Sequence, residues 1–329
     1  MTLHRGSADL YCDPIRMTPA NNTQLDFARD VDFSEVLTNP ILDIAARLWE
    51  PDRYGAFRVC YRSMRRIDDL VDDRKESDEE ITSEDAEKLS LLLSDWLDAV
   101  REGDRSDPFR QEFLEVLEKF RIPLWPWERL NKAMLYDLSH DGYRTLLTFM
   151  RYAEGAAIAP ASIFMHLCGL TQENGSYAPP AFDLRLAARH LAIFSYLVHI
   201  MRDFQKDQLR NLNYFSDDML ALHGVTRDEL RAVADGKPIS EQFRRLMRSY
   251  HYIGGFYRAK ARRTMDEVSR QLMPRYQLSL EMIYQLYLQI YERIDPEQGS
   301  FTGQELNPSP DEIDHRIHRT LSSFIPIPR

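Results

Sequence analysis

Four aspartates give this chain its first sign of chemistry, because they come in two pairs at helical spacing. In residues 61–73, reading YRSMRRIDDLVDD, Tyr61, Arg65, Asp68 and Asp72 fall along one stripe of a 3.6-residue helix. The carboxylates of Asp68 and Asp72 point the same way, and like charges one turn apart repel. Either a polyvalent cation, or solvent together with Arg62, Arg65 and Arg66, must offset that repulsion. A second stripe, His199, Asp203 and Asp207, repeats the four-residue spacing far downstream. One such stripe is ordinarily a solvated face. Two, both with strongly apolar flanks, point to a divalent-metal site between facing helices. Arg65 stands one turn before Asp69 and is expected to hold it. Asp68 and Asp72 are then left for a hard cation such as Mg²⁺, which completes its shell with water and substrate phosphate. Two stripes facing across a bundle would clamp a diphosphate, with nearby Arg and Tyr taking up charge on the leaving group.

The elements that must position these residues read as helices throughout. Asn39-Pro40 is a cap-then-proline start for a helix running toward Trp49. A second helix from Asp52 carries Tyr54, Phe57, Tyr61, Met64, Ile67 and Val71 on one broad face. Thr82 with Asp85 forms a capping box, and Asp107-Pro108 repeats the proline start. A helix from about Trp127 carries Asp137. Residues 145–170 read as one helix with a small-residue segment, GAAIAPAS, kinked by Pro160. Small side chains there open a greasy space, so a metal–diphosphate site beside it suits an apolar chain carrying a diphosphate, an isoprenoid. Residues 171–182 read as a loop, 183–207 as one long helix, and further helices start at Thr226, Ser240 and about residue 275. No strand, repeat or linker is evident. The expectation is an all-α, single-domain multi-helix bundle over 34–295, with an N-terminal arm at 1–33 and a polar, Pro-containing tail at 296–329.

Composition narrows the functions. The 329 residues are 43% hydrophobic and 29% charged, with a net charge of −10, which argues against nucleic acid as the main partner. Cys12, Cys60 and Cys168 lack metal-type spacing and read as free thiols of a reducing compartment. There is no run of about 18 apolar residues and no apolar leader, so the expected location is cytoplasmic. A hydrophobic substrate would bring such a protein to the periphery of a membrane. Oligomeric state is open.

Taken together the motifs resemble the squalene/phytoene synthase family over about residues 36–295. The first motif is similar to Tyr61-x-x-x-Arg65-x-x-Asp68-Asp69-x-x-Asp72, and the second to Arg202-Asp203-x-x-x-Asp207 followed by Tyr214 and Phe215. Residues 150–155 resemble the segment lining the family's prenyl cavity, and Asp137 falls where the family has an aspartate one helix earlier. The resemblance implies an all-α isoprenoid synthase fold and Mg²⁺-dependent head-to-head condensation of two farnesyl or geranylgeranyl diphosphates. One diphosphate ionises, and the second molecule's alkene captures the allylic carbon. The resulting cyclopropylcarbinyl diphosphate ionises in turn to give a C30 or C40 hydrocarbon of squalene, dehydrosqualene or phytoene type. Carried over by position, Asp68, Asp69, Asp72, Asp203 and Asp207 would serve the metal, and Tyr61, Arg65, Tyr152 and Arg202 the reacting diphosphate. Asn39, Arg62, Asp137, Tyr196, His199, Lys206 and Tyr214 would line the substrate site.

The chain also departs from the pattern. His199 stands where the family generally has Asn, Lys206 where it has an acid, and Tyr196 where Gln is frequent. Asn39 and Ile41 stand at a Ser-rich phosphate contact, and Leu212 replaces an Arg, with Arg210 close by. Imidazole suits Zn²⁺ or Mn²⁺ better than Mg²⁺, so His199 either alters metal choice or stands beside the site as a hydrogen-bonded neutral histidine, and Lys206 is expected to replace part of a metal's charge. Two other readings stand beside the condensation. One is a class I terpene synthase or cyclase acting on a single diphosphate. The other is a catalytically silent lipid-binding or partner-subunit relative. No Gly-rich dinucleotide fingerprint is visible, and the family's reductive members do not rely on one, so the need for NADPH stays open.

Overall fold

Helix starts that the sequence spells out recur in three dimensions. The computed structural model describes residues 26–29, 31–75 and 82–329. After a single turn, α1 (Asp26–Arg29), the bundle begins with α2 (Ile41–Ala46) and α3 (Pro51–Lys75). Next come α4 (Ser83–Arg101), α5 (Pro108–Phe120) and α6 (Trp125–Ser139). Thr82 and Asp85 make the expected reciprocal capping box on α4, and Asp107 caps α5 ahead of Pro108. Asn39 is not the cap of α2: its Nδ2 donates to Asp43 Oδ2 at 2.6 Å and Pro40 takes the cap position.

The stretch expected as one kinked helix is three pieces: α7 (Leu146–Ala153), a π-helical turn (Glu154–Ile158) and α8 (Ala159–Gly169). Pro160 has no N–H to give, and the wider turn just before it absorbs the irregularity. Gly155 is obligatory within that turn. A Cβ there would stand 2.3 Å from the Arg129 carbonyl oxygen and 2.7 Å from Ala133 Cβ, so α6 lies directly on this backbone.

Residues 171–182 are not wholly loop. A short antiparallel hairpin, β1 (Thr171–Glu173) with β2 (Ser176–Ala178), pairs Gln172 with Tyr177. Its turn is Asn174-Gly175, both at positive φ, the sequence that a two-residue hairpin turn demands. The helix expected over 183–207 breaks at Asp203 into α9 (Leu184–Arg202) and α10 (Phe204–Leu209). Then come α11 (Asp217–His223), α12 (Arg227–Ala234), α13 (Glu241–Ser269) and α14 (Pro274–Arg293).

The expected tail at 296–329 is corrected. It carries α15 (Gly303–Leu306) and α16 (Pro310–Ser323), and α16 packs along α14. Phe301, Leu306 and Ile317 are buried, which pins the segment to the bundle. The arm expected at 1–33 lies mostly outside the described residues, although Phe33 is buried. Cys60 and Cys168 are free and buried; Cys12 lies outside the described residues.

α9 is the axis of the bundle, packed mainly on α13 and α8. Buried polar pegs set the helices around it. Trp127 Nε1 of α6 donates to Ser63 Oγ of α3 at 2.8 Å, and Ser63 Oγ donates to the Cys60 carbonyl. Trp49 Nε1 donates to Ser279 Oγ of α14 at 2.9 Å. Arg53 of α3 donates to the Leu167 carbonyl at the end of α8 and lies over the Tyr276 ring at 4.4 Å. A buried donor left without its acceptor costs about 1–3 kcal/mol, so each peg fixes a helix rotation.

Candidate active site

With α3 locked by Ser63, its Tyr61–Asp72 stripe faces a cavity of about 980 Å³. The second stripe, on α9 and α10, lines the same cavity, so the two acidic faces share one space. Asn39, Tyr61, Arg65, Asp68, Asp69, Asp72, Tyr152, Tyr196, His199, Arg202, Asp203, Lys206, Asp207 and Tyr214 all line it. Arg62 does not. It points to the other side of α3, paired with Glu112 at 2.8 Å and stacked over Phe109. The expectation of Arg62 as a substrate contact is therefore corrected: one residue on from Tyr61, it is turned about 100° around the helix from the stripe. Asp137 lies behind the wall rather than on it, buried and accepting a hydrogen bond from the Tyr152 hydroxyl.

The two acidic halves differ in how far their charge is offset. On α3, Arg65 reaches both Asp68, at 2.6 Å, and Asp69, where the sequence pointed to Asp69 alone. Asp68 opens on the cavity but is ringed by protein atoms. That burial pushes its pKa up to about 6, against the pull of Arg65 and with the help of Asp69 and Asp137. On α10, Asp207 is 7% exposed, and burial followed by the charges of Asp203 and Asp72 pushes it up to about 7. Tyr61 is held neutral by burial, its pKa pushed up to about 12.

Asp203 is the opposite case. Burial alone would raise it, but Arg202 outweighs that and holds it below the usual carboxylate range. Arg202 donates Nε to Oδ1 at 2.6 Å and Nη2 to Oδ2 at 2.9 Å. His199 Nε2 lies 3.2 Å from the same Oδ2, and its Nδ1 is 3.1 Å from Arg202 Nη2. Arg202 can only donate, so Nδ1 accepts and Nε2 carries the hydrogen toward Asp203. Burial and the nearby Arg202 lower the His199 pKa to about 4, which agrees with a neutral ring. Both ring nitrogens are thus in use: of the two readings of His199, the geometry matches the hydrogen-bonded neutral histidine and leaves no free nitrogen for metal selection. In this arrangement Asp203 is the anion of a three-residue cluster rather than an open ligand.

Hard oxygen donors of this kind fit Mg²⁺ in chemistry, although among the described residues no three His, Cys, Asp or Glu side chains close around one point. Any such ion therefore needs oxygens from outside the protein. Arg65, Arg202, Lys206 and Arg210 ring the same mouth. Below it the cavity turns apolar: Ala156, Ala157, Pro160 and Ala161 on one side, and Ala188, Leu191 and Ala192 of α9 on another. Tyr152, Tyr196 and Tyr214 also line the cavity and are backed by further rings in an aromatic belt. Tyr196 stacks on Phe149 at 5.5 Å, and Tyr143 meets Tyr152 at 5.1 Å.

Sequence reasoning missed part of this wall. Tyr287 of α14 lines the cavity half-buried near Arg202, and Asn307, Pro308, Pro310 and Ile313 line it from the C-terminal segment. The signal for the latter was there: Ser309-Pro310 with Glu312 is a capping box with proline at the first helical position, and the structure forms it.

Comparison with known proteins supports the same assignment. Residues 43–310 match the model of the family described as squalene/phytoene synthase. The chain belongs to that family. Among relatives, it is 25% identical over 201 residues to the chloroplastic phytoene synthase of Narcissus pseudonarcissus, covering 61% of this chain and 44% of that one. It is 24% identical over 189 residues to phytoene synthase 2 of Solanum lycopersicum, covering 57% and 58%. The matched part thus spans about half the length of these relatives. Two solved structures share the fold of this family member. Squalene synthase HpnC from Alicyclobacillus acidocaldarius has a TM-score of 0.60 at 17% identity, covering 80% of this chain and 90% of that one. A dehydrosqualene synthase has 0.64 at 16%, covering 90% and 96%. The all-α isoprenoid synthase fold is therefore the one expected.

Proposed function

We propose that this chain condenses two prenyl diphosphates head-to-head, as a squalene/phytoene synthase-type prenyltransferase. One observation carries the reading: two acidic stripes from separate helices, interleaved with four cationic side chains, share a single cavity with an extended apolar wall. At about 980 Å³ that cavity lies at the top of the range of about 300–1,000 Å³ usual for one small-molecule site. The room is consistent with more than one prenyl chain.

Asp68, Asp72 and Asp207 would hold Mg²⁺, with Mn²⁺ the alternative: all three line the shared cavity, and burial raises Asp68 and Asp207 above the usual carboxylate range, a cost that a bound cation relieves. The ion supplies charge neutralisation at the departing diphosphate. Arg65, Arg202, Lys206 and Arg210 grip the diphosphate oxygens from the mouth. Asp203, with His199, fixes the guanidinium plane of Arg202. Tyr152, its hydroxyl given to Asp137, holds its ring rigidly in the aromatic belt. Aromatic faces of this kind stabilise an allylic cation electrostatically while the apolar floor excludes water. Incubation with C15 and C20 diphosphates plus Mg²⁺, with and without NADPH, tests the reading. A C30 or C40 hydrocarbon supports it. C15 or C20 products alone would make the chain a single-substrate terpene synthase, and no metal-dependent diphosphate release would make it a silent relative.

A further inference from the structure

One long surface has no part in the site. Residues 242–265 carry seven Arg and Lys and no Asp or Glu, within a chain of net charge −10. They make up most of α13, whose inner face packs on α9. The outer face is a single exposed stripe at three- and four-residue steps: Arg245, Arg248, Tyr252, Phe256, Ala259 and Arg263, with Lys260 at its edge. From Arg245 to Arg263 the helix rises eighteen times, which makes this stripe about 27 Å long. Two large aromatic residues stand in its middle, Tyr252 78% and Phe256 50% exposed.

The cations on this face divide into used and unused. Arg248 is paired with Glu241 and Glu297. Arg262, on the flank, is paired with Asp266 and Glu281. Arg245, Lys260 and Arg263 make no ion pair among the described residues, and Lys260 instead lies 4.5 Å from the Phe256 ring. Unspent cations beside exposed aromatic rings are the two ingredients of an interfacial helix. The charges seek an anionic surface, and the rings settle at the boundary between headgroups and acyl chains.

We propose that the outer face of α13 docks this chain on an anionic lipid bilayer. Charge complementarity supplies the attraction: within a chain of net charge −10, this segment carries seven cations and no acid. The exposed Tyr252 and Phe256 favour a bilayer over a purely polar polyanion such as RNA, which would leave those rings in water. What the docking serves rests on the proposed function: a hydrocarbon product has its sink in the membrane.

The test is sedimentation of the full chain with phosphatidylcholine vesicles containing about 30% phosphatidylglycerol, set against pure phosphatidylcholine, across a salt series. The wild type binds the anionic vesicles and loses binding as salt rises. Neutralising each unpaired cation lowers the partition coefficient about fivefold, so Arg245→Gln/Lys260→Gln/Arg263→Gln together lower it about 100-fold. Tyr252→Ser/Phe256→Ser weakens binding while keeping the salt slope. All five side chains are on the surface, so the thermal midpoint of both variants stays that of wild type. Equal binding by wild type and both variants overturns the proposal, as does equal binding to neutral vesicles. Capture by duplex RNA with no vesicle binding also overturns it. Turnover of detergent-dispersed prenyl diphosphates is measured in parallel. Vesicle docking through α13 without turnover would remove the functional reading and leave the docking face standing. Turnover without docking would do the reverse.

Discussion

Asp207→Asn should make the metal-free protein more stable while weakening its response to metal and diphosphate. Asp207 is 7% exposed, and burial with the charges of Asp203 and Asp72 raises its pKa from 3.8 to about 7. The charged form is thus disfavoured in the fold by about 3 units, a ceiling of about 4 kcal/mol at about 1.36 kcal/mol per unit. Water in the cavity screens the charge, and about 2 kcal/mol is the expected working value. Because its folded pKa lies above the unfolded one, the Asp207 contribution to stability is fully present below pH 4 and is lost as pH rises through 7. The asparagine variant lacks that fall. In EDTA the two proteins should melt together at pH 4, with the gap opening through pH 7 to about 3–6 °C at pH 8. His199, lowered to about 4, contributes equally to both curves and cancels in the difference. Adding Mg²⁺ with inorganic diphosphate at 100 times its dissociation constant should stabilise wild type by about 2.7 kcal/mol and the variant far less. Differential scanning fluorimetry reads all four conditions. A variant less stable than wild type in EDTA at pH 8 would refute the reasoning, because the carboxylate would then be satisfied by the protein alone.

Other substitutions test neighbouring parts of the account. Lys206→Glu replaces a cation at the cavity mouth with an anion and should weaken diphosphate binding at least about tenfold by calorimetry; unchanged affinity would place Lys206 outside the grip. His199→Asn should leave the ratio of Mg²⁺- to Mn²⁺-supported activity unchanged, since both ring nitrogens are occupied by Arg202 and Asp203; a shifted ratio would show the ring turning to the metal. Gly155→Ala should lower the thermal midpoint by an amount equivalent to about 1–3 kcal/mol, because its methyl group meets the Arg129 carbonyl oxygen at 2.3 Å; an unchanged midpoint would mean that α6 moves aside freely.

The parts of the fold written in local chemistry were legible. Thr82 with Asp85, Asp107-Pro108 and Ser240 each cap the helix they announce. The Tyr61–Asp72 stripe needs only helical periodicity to be placed on one face. What escaped the sequence depends on partners far along the chain. Nothing local to Arg62 says that Glu112 and Phe109 will take it away from the cavity. The partners of Asp203 are local, Arg202 and His199, but Arg202 closes around it where α9 ends, an end that a single helix over 183–207 did not anticipate. Polarity and proline made 296–329 look like a tail, yet buried Phe301, Leu306 and Ile317 tie it down and two of its prolines line the cavity. The Asn174-Gly175 hairpin and the Ser309–Glu312 capping box were readable signals obscured by the surrounding loop-like composition.

The central claim is that two acidic stripes and a cavity with an extended apolar wall serve the joining of two prenyl diphosphates. Mass spectrometry of the hydrocarbon extract after incubation with C15 or C20 diphosphate and Mg²⁺ tests it most directly. The account predicts a C30 or C40 product that disappears in EDTA and in Asp68→Asn. Products confined to C15 or C20, or no diphosphate release with any prenyl donor, would contradict it.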